Sequence, residues 1–427
     1  MAYHRIETVS SSSQSSPTQQ VIPSGSRNGI TRNASFILKD VHGGEEQTHN
    51  NDQDDFEITN PDGQIIRIKD SGIVHTLSHK KCIAENASLG LVATLFYCPN
   101  KEFINPGAEI HDISCEDINF GNYVSDMAIF EFIQTIDDIM VPWKKRTGTT
   151  HKCLDVAPSP GIMEIVLSRP EILSLYDLRR HVDLWKFENK WKIQVVLQEN
   201  NICRRFKRLV VFDMDSTLIQ QEVIDEIANY MGVKDEVSAI TARAMNGELD
   251  FTESLRQRVA LLEGTPVTVF ESLKPSITFT PGARELTKAL KTLGYKMAVL
   301  SGGFMPLADY VKEELGLDYA YANMLAVSDD GTQLTGELIG DIIHAERKAE
   351  LLEQIAAENG IALKQVIAIG DGANDLPMMI KAGLGIAFNA KPSVQLLAPC
   401  RLNSETLQDV LYLLGFTKLE QTQLLEV

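Results

Sequence analysis

Three short apolar runs in the second half of the chain, residues 210–212, 295–300 and 366–369, each end in small and polar residues. Continuous apolar runs of this length are typical of strands that are buried on both faces of a parallel sheet. Helical spacing of apolar residues separates the runs, and Gly294 and Gly360 are placed to end those helices. The pattern predicts an α/β fold built on a Rossmann-like parallel sheet.

Polar side chains follow each predicted strand. The first run leads into Asp213-Met214-Asp215, the second into Ser301-Gly302-Gly303 and the third into residues 370–375. Taken alone, the paired aspartates are equally typical of an Asx-turn that caps the next helix. Open parallel sheets, however, bind ligands beyond the carboxyl ends of their strands. The residues that we therefore expect to converge on one edge are Asp213, Asp215, Ser301, Asp371 and Asn374.

These residue types favour phosphate chemistry. The candidate carboxylates are Asp213, Asp215, Asp371 and Asp375. An all-oxygen set without His or Cys favours Mg²⁺ that shares its coordination shell with a phosphate. Ser301 and the glycines after it offer a hydroxyl and approachable backbone N–H groups to phosphate oxygens. Lys348, predicted to open a helix, adds a compact positive charge, although by itself it reads as an ordinary solvated lysine. Together they indicate phosphoryl transfer through an aspartyl-phosphate.

The sequence also resembles a known superfamily. DMDST, SGG, Lys348 and GDGANDLP occur in the order of the four motifs of the haloacid-dehalogenase-like hydrolases. The stretches VFDMDSTLIQQEVIDEIA, RAMNGELDFTESLRQRVALLEG, AVLSGGF and GDGANDLPMM are similar, within that superfamily, to the phosphoserine phosphatases. The resemblance extends from about residue 207 to the C-terminus and implies a Mg²⁺-dependent phosphatase.

The resemblance implies a role for each motif residue. Asp213 would be the nucleophile, with its second oxygen on Mg²⁺, and Asp215 the general acid and then the general base. The main-chain carbonyl of Asp215 and the carboxylate of Asp371 would complete the protein ligands, with Asp375 supporting them. A phosphate dianion beside Asp215 would raise its pKa, as a general acid requires. The residues implied to bind the phosphorylated substrate in the core are Ser301, Gly302, Lys348 and Asn374.

An insertion of helical pattern, residues 220–276, lies between the first two motifs. It is long enough to form a cap that closes over the site and expels water. By the resemblance, the cap reads an amino acid: Glu222 accepts the ammonium group, Arg258 binds the carboxylate, and Met245 and Phe251 line the wall. A guanidinium suits this task because it binds carboxylates with two hydrogen bonds. Without the resemblance, Arg256 and Arg258 would both read as surface residues of a charged helix.

Composition restricts the remaining possibilities. The chain carries 40 basic and 58 acidic residues, a net charge of −18, which argues against nucleic-acid binding. No apolar run approaches the roughly 18 residues of a membrane span. The first residues, MAYHRIETVSSSSQ, lack the apolar core of a signal peptide. The six cysteines show no CxxC spacing and read as reduced thiols, so we expect a cytoplasmic protein.

The N-terminal half follows a different pattern. Residues 1–70 are rich in Ser, Gln, Asn and Asp and are expected to form a disordered tail. Residues 71–204 predict strands at 89–98, 153–156, 162–167 and 191–197, with helices at 122–138 and 176–187. This βαββαβ order is typical of a ferredoxin-like domain and resembles an ACT-type domain. Residues 205–427 form the expected phosphatase core with its cap.

The sequence as a whole favours hydrolysis of O-phospho-L-serine, the last step of serine biosynthesis. One alternative is a phosphotransferase, or a phosphatase for another small phosphorylated amino acid. A second alternative, from another class, is an amino-acid-sensing regulator with a vestigial phosphatase half, but no motif residue is missing. The N-terminal domain is expected to support a homodimer, feedback by serine, or both.

Overall fold

The structure, a computed structural model, describes residues 55–59, 65–69, 90–98, 123–139, 149–156, 159–167 and 173–426. Its first elements are the paired antiparallel strands β1 (Asp55–Thr59) and β2 (Ile65–Lys69). This hairpin lies within the stretch expected to be a disordered tail. Alternating apolar and polar residues on either side of the sequence Asn60-Pro61-Asp62-Gly63 are a hairpin signal that the overall polar composition obscures. The expectation for residues 1–54 lies outside the described residues.

The next elements form a four-stranded antiparallel sheet in the order β4-β5-β3-β6. Its elements are β3 (Leu91–Tyr97), α1 (Asp126–Ile139), β4 (Thr149–Cys153), β5 (Ile162–Leu167), α2 (Leu175–Arg179), α3 (Val182–Trp191) and β6 (Ile193–Glu199). Helices α1 and α3 cover one face of the sheet around Phe132 and Phe187, whose rings lie 5.5 Å apart.

Several predicted boundaries in this region are wrong. The strand expected at 153–156 is β4, which begins at Thr149 and ends at Cys153. The helix expected at 176–187 is two helices, because His181 ends one turn and caps the next through its own side chain. The last strand begins at Ile193, after Lys192 adopts a left-handed conformation that ends α3.

The C-terminal part contains a seven-stranded sheet in the order β10-β9-β8-β7-β11-β12-β13. All neighbours are parallel except β10, which pairs antiparallel with β9. Its strands are β7 (Leu209–Phe212), β8 (Lys296–Phe304), β9 (Tyr319–Val327), β10 (Leu334–Ile339), β11 (Val366–Gly370), β12 (Leu384–Phe388) and β13 (Cys400–Leu402). The three predicted strands are β8, β7 and β11 at the centre, so the parallel α/β core is confirmed.

Helices pack on both faces of this sheet. Val210 and Phe212 of β7 point into one hydrophobic core, and Leu209 and Val211 point into another on the opposite face. This is why the strand reads as a continuous apolar run rather than an alternating one. The helices of the core are α8 (Ala283–Thr292), α9 (Met305–Leu315), α10 (Ala345–Glu358), α11 (Leu376–Lys381), α12 (Pro392–Leu397), α13 (Val410–Leu413) and α14 (Lys418–Glu426).

The insertion between β7 and α8 is helical, as expected. Its helices are α4 (Val223–Met231), α5 (Lys234–Met245), α6 (Phe251–Ala260) and α7 (Val269–Leu273). The two connections to the core run side by side, with Gln220 N–H donating to the Thr278 carbonyl at 2.9 Å. The cap is also paired with the edge of the sheet, because Leu334 N–H donates to the Thr265 carbonyl at 2.8 Å. The cap is thus tied to the core at its hinge and at β10.

The four-stranded sheet packs its other face against the C-terminal part. Phe96 and Val196 join the core that contains Tyr412, and the rings of Phe96 and Tyr412 lie 6.5 Å apart. Two buried ion pairs link the sheet and its helices to the C-terminal part: Arg204 with Glu164 at 2.5 Å, and Arg401 with Glu188. A third buried pair, Arg205 with Glu420 at 3.1 Å, joins the segment before β7 to α14. Buried charges persist only when they are paired, so the two regions depend on each other for satisfied partners. Among the described residues, no helix has both the length and the apolar character needed to cross a membrane.

Candidate active site

The first aspartate lies at the carboxyl end of the central strand. Asp213 directly follows β7, and its backbone N–H donates to the Ile369 carbonyl of β11 at 2.8 Å. Its Oδ1 accepts the Met214 N–H at 2.8 Å, the Asx-type cap that the isolated motif predicted. The residue as a whole is 6% exposed. The capping hydrogen bond and a place at the edge of the sheet therefore coexist in one residue.

Lys348 is the residue for which the solvated-lysine alternative is wrong. It lies in the first turn of α10 and is fully buried. Its Nζ donates to Oδ1 of Asp213 and to Oδ1 of Asp375, each at 2.7 Å. Burial would lower the pKa of Lys348, but the carboxylates of Asp213 and Asp375 outweigh that effect and raise it. Lys348 is therefore a fixed cation between two carboxylates.

The third cluster places its two aspartates differently. Asp371 follows β11, is partly exposed, and accepts a hydrogen bond from the Thr217 hydroxyl at 2.9 Å. Asp375 is fully buried, and its oxygens accept from Lys348 and, at 3.0 Å, from the Gly372 N–H. Both oxygens of Asp375 thus accept hydrogen bonds, whereas only Oδ1 of Asp371 accepts one from the described residues. Asn374 lies in the same short 3-10 turn, residues Ala373–Asp375.

Asp215 has the environment of a carboxylic acid rather than a carboxylate. Its Oδ2 accepts the Val223 N–H at 3.2 Å, and its buried Oδ1 has no hydrogen-bond partner. Burial, followed by the negative charge of Glu222, raises the pKa of Asp215 to about 8. The group is therefore largely protonated near neutral pH, with an unpaired oxygen available for a proton transfer.

A bulge near the end of β8 lies against Asp215. The register with β9 shifts between Leu300 and Phe304, so Ser301-Gly302-Gly303 bulges out of the sheet. Ser301 Oγ accepts the Gly303 N–H at 2.8 Å, which leaves the hydroxyl hydrogen of Ser301 free to donate elsewhere. A Cβ at Gly303 would lie 3.2 Å from Oδ2 of Asp215, so glycine permits this close approach. A Cβ at Gly302 would lie 3.3 Å from the Phe251 ring of the cap.

Cap residues reach the same edge. Glu222 precedes α4, and its Oε1 accepts the Ser216 hydroxyl at 2.7 Å; Ser216 itself has φ of 56°. Arg258 on α6 is half-buried. Burial lowers the pKa of its guanidinium, and the nearby carboxylates of Asp225 and Glu222 offset only part of that effect. Arg256 lies on another face of α6 and lines a separate cleft of about 720 Å³ with Arg347 and Glu337. Met245 ends α5, and its side chain lies outside the described part of the chain.

The carboxylates suit a divalent cation. Oxygens of Asp213, Asp371 and Asp375 lie within 4.8 Å of one another. Burial, and then the charge of Asp375, raises the pKa of Asp371 to about 6, and the same two causes raise that of Asp213 well above its ordinary value. Lys348 offsets only part of this repulsion. A hard cation among oxygen ligands would relieve it, so the residues present fit a metal site of this type.

The contacts made by three residues were not predicted from the sequence. Thr217 and Ser216 hold Asp371 and Glu222, and both lie inside the DMDST motif, where their position was the available signal. Asn323 of β9 bonds to the Gly302 carbonyl, and nothing in the surrounding sequence distinguishes it. Its contribution depends on pairing between strands that are distant along the chain.

Comparison with known proteins places this site in a family. The haloacid dehalogenase-like hydrolase family matches residues 207–383. A probable phosphoserine phosphatase of Schizosaccharomyces pombe is 56% identical over 220 residues, which are 52% of this chain and 74% of the relative. The phosphoserine phosphatase of Saccharomyces cerevisiae is 49% identical over 226 residues, 53% of this chain and 73% of that protein.

A solved structure extends the likeness beyond the catalytic part. A HAD family hydrolase from Salmonella enterica serovar Typhi has a TM-score of 0.58 and 27% identity, and the match covers 77% of this chain and 99% of that one. The sequence relatives match about half of the chain, so the structural likeness includes part of the N-terminal region. The family match, the two relatives and the aspartate-lysine site agree, and the chain belongs to the phosphoserine phosphatases of the haloacid dehalogenase-like hydrolase superfamily.

Proposed function

We propose that this chain hydrolyses O-phospho-L-serine to L-serine and phosphate, the last step of serine biosynthesis, through an aspartyl-phosphate on Asp213. The observation that carries the proposal is the pairing of two unlike aspartates on one loop. Burial raises the pKa of both groups, but Asp213 is held by the fixed cation Lys348, whereas Asp215 has a pKa of about 8 and a buried oxygen without a hydrogen-bond partner. A nucleophile and an acid are needed together for phosphate ester cleavage, and these two environments separate the roles.

The two aspartates account for both chemical steps. In the first step the free oxygen of Asp213 attacks phosphorus, the bond from phosphorus to the seryl oxygen breaks, and Asp215 gives its proton to that oxygen. In the second step Asp215 takes a proton from water, the water oxygen attacks phosphorus, and the bond to Asp213 breaks. Asp215 thereby returns to its starting protonation state, and phosphate leaves.

The remaining core residues are proposed to hold the transferred group. The hydroxyl hydrogen of Ser301 is free to donate, because its oxygen already accepts from Gly303. Lys348 supplies positive charge beside the attacking carboxylate. Gly302 and Asn374 are proposed to contact the substrate from the two neighbouring loops. Donors fixed before the reaction stabilise charge that develops on the phosphoryl oxygens.

We propose Mg²⁺ as the cation, held by a carboxylate oxygen of Asp213, the main-chain carbonyl of Asp215 and a carboxylate oxygen of Asp371. Mg²⁺ supplies positive charge that neutralises the phosphate dianion and the carboxylates around it. Thr217 orients Asp371 for this task by donating to its other oxygen. Asp375 is proposed to support these ligands without binding the metal, because its two oxygens already accept hydrogen bonds from Lys348 and Gly372.

Recognition of serine is assigned to the cap. Glu222 is proposed to accept the ammonium group and Arg258 to bind the carboxylate, while Phe251 and Met245 line the wall. Support comes from position: Glu222 is near enough to raise the pKa of Asp215, and Phe251 lies over Gly302. A ligand bound between them would touch the cap and the phosphoryl site together, so closure would complete the site.

The N-terminal region is proposed to act in regulation or assembly. The strand order of residues 91–199 supports a ferredoxin-like, ACT-type domain within residues 71–204, preceding the phosphatase core at 205–427 with its cap at 220–276. Such a domain would mediate a homodimer, feedback inhibition by serine, or both. We also propose a cytoplasmic location, in keeping with the free thiols of Cys153, Cys203 and Cys400.

A phosphate-release screen tests the proposed function. The purified full chain with Mg²⁺ is given O-phospho-L-serine, O-phospho-L-threonine, phosphoethanolamine, 3-phosphoglycerate and p-nitrophenyl phosphate. We expect phosphoserine to have the highest kcat/KM and a chelator to abolish release. Adding an alcohol as acceptor separates hydrolysis from phosphotransfer. A higher kcat/KM for a substrate that lacks the ammonium group, the carboxylate group or both would overturn the substrate assignment.

A further inference from the structure

The phosphate-binding loop is an interruption in the sheet. Leu300 of β8 pairs with Tyr321 of β9, and the next pair is Phe304 with Asn323. Three residues on β8 therefore lie opposite the single residue Ala322. The two surplus residues loop out toward the site, and the regular backbone hydrogen bonds between the strands are lost there. Something other than the ladder has to fix this loop.

The side chain of Asn323 takes the place of the missing ladder bonds. It is 1% exposed. Its Nδ2 donates to the Gly302 carbonyl at 2.8 Å. Its Oδ1 accepts the Ile343 N–H at 2.9 Å. One amide thus joins the bulged loop within β8 to the segment that leads into α10, the helix that carries Lys348.

The consequence is a peptide unit held at both ends. The peptide between Gly302 and Gly303 has its carbonyl fixed by Asn323 and its N–H donated to Ser301 Oγ at 2.8 Å. That second bond uses a lone pair of Ser301 and so directs the hydroxyl hydrogen away from the loop. Two consecutive glycines have many backbone conformations, so without Asn323 this peptide would be free to rotate. Rotation would release the Ser301 hydroxyl.

We infer that Asn323 is a positioning residue that sets the phosphoryl-binding loop and the start of the Lys348 helix in one register. The inference rests on the proposed function, because it assigns Ser301, Gly302 and Lys348 to the phosphoryl group. The side chain of Asn323 bonds to the backbone of Gly302 and Ile343 and acts through these two residues. Its effect therefore belongs to the phosphoryl group common to all substrates, whereas Arg258 acts on the serine carboxylate alone.

The chain offers a matched control for this residue. Asn359, at the end of α10, also uses its amide twice, donating to Tyr319 Oη at 3.0 Å and to the Ile355 carbonyl at 2.8 Å. It contacts the opposite end of β9, away from the loop. Asn323→Leu and Asn359→Leu each replace a hydrogen-bonding amide near β9 by an apolar group of similar size. A second variant, Asn323→Ser, puts a polar hydroxyl in place of the amide and guards against a folding failure of Asn323→Leu.

The experiment measures kcat/KM for phosphoserine and p-nitrophenyl phosphate, and Ki for inorganic phosphate and orthovanadate, alongside the melting temperature. We expect Asn323→Leu to lower kcat/KM by about 10²-fold for both substrates, because a shift of about 1 Å in the groups that it positions can have an effect of that size. The variant should also bind both inhibitors more weakly. Asn323→Ser should show smaller losses in the same direction. Asn359→Leu should lower the melting temperature without changing either Ki.

A double-mutant cycle with Ser301→Ala separates positioning from general destabilisation. If Asn323 acts through Ser301, the loss caused by Asn323→Leu should be much smaller in the Ser301→Ala background. Unchanged Ki values, or losses that simply multiply in the double variant, would overturn the inference. If wild-type protein fails to hydrolyse phosphoserine, the proposed function falls, while p-nitrophenyl phosphate and orthovanadate still report on Asn323.

Discussion

The side-chain nitrogen of Lys348 lies 2.7 Å from Oδ1 of Asp213, and both groups are buried at the carboxyl ends of the central strands. Residues 135 positions apart in sequence are thus in direct contact. The lysine is shared with Asp375, which fixes its position. One carboxylate oxygen of Asp213 is held by this contact, and we propose that the other attacks the phosphoryl group.

Replacing the nucleophile should remove turnover without removing the fold. Asp213→Asn keeps the shape of the side chain but cannot form an aspartyl-phosphate. We expect no steady-state phosphate release and a circular dichroism spectrum like that of the wild type. Undiminished release by a well-folded variant would show that the phosphoenzyme is not formed at Asp213.

Loss of the acid should depend on the leaving group. Asp215→Asn cannot protonate the departing oxygen, so kcat for phosphoserine should fall by about 10²–10⁴-fold. An aryl phosphate needs less protonation because its leaving group is a weaker base, and its first step should suffer less. The measurement is burst-phase and steady-state kinetics on both substrates. Equal losses in the first step would show that Asp215 serves only the metal.

The same substitution should stabilise the metal-free protein in a pH-dependent way. The pKa of Asp215 is about 8 in the folded state, against roughly 3.9 in an unfolded chain. Between these values the folded state binds a proton that the unfolded state lacks, so the stability of the wild type falls as pH rises from about 4 to 8. Asp215→Asn has no such term, so its melting temperature should exceed that of the wild type by more at pH 8 than at pH 5. A constant difference across that range would contradict the raised pKa.

Replacing Arg258 of α6 should lower the specificity for phosphoserine, whereas replacing Arg256 of the same helix should not. Arg258→Ala should raise KM for phosphoserine strongly and have far less effect on phosphoethanolamine, which lacks the carboxylate. Arg256→Ala is the matched control and should be mild, because Arg256 lines a separate cleft. If both substrates respond alike to Arg258→Ala, the arginine is structural and the substrate assignment loses its main support.

The junction between the N-terminal sheet and the core should be sensitive to single charges. Glu164→Gln leaves Arg204 buried beside a neutral group, and breaking such a pair costs about 3–5 kcal/mol of unfolding free energy. Glu131→Gln breaks a surface pair with Lys190 and should cost at most about 1 kcal/mol. Urea unfolding of both variants measures the difference. Similar small changes in both would mean that the junction contributes little.

The same contacts bear on truncation. A chain starting near Arg204 keeps every catalytic motif but exposes apolar surface around Tyr412 and removes the partners of Arg204 and Arg401. We expect it to aggregate unless these sites are replaced by polar residues. If a soluble form shows the same serine sensitivity and the same oligomeric mass as the full chain, the N-terminal region is neither sensor nor dimer contact.

Local patterns were enough to predict the central sheet and its polar edge. Continuous apolar runs arise wherever a strand is buried on both faces, as Val210 and Val211 are, and this signal needs no knowledge of distant residues. Boundaries in the four-stranded sheet were less predictable, since His181 and Lys192 break helices through their own conformations. The strands β9 and β10 were not predicted either, because their partly exposed residues interrupt the apolar pattern.

What the sequence determined by itself is the set of chemical groups and the loops that carry them: Asp213, Asp215, Ser301, Lys348 and Asp371 each follow a strand or open a helix. What only the tertiary structure decided is the state of those groups. The pKa of Asp215 depends on burial and on Glu222. The position of Lys348 depends on two carboxylates, and the shape of the Ser301 loop depends on Asn323. These effects act through space between residues distant in sequence, and no local periodicity records them.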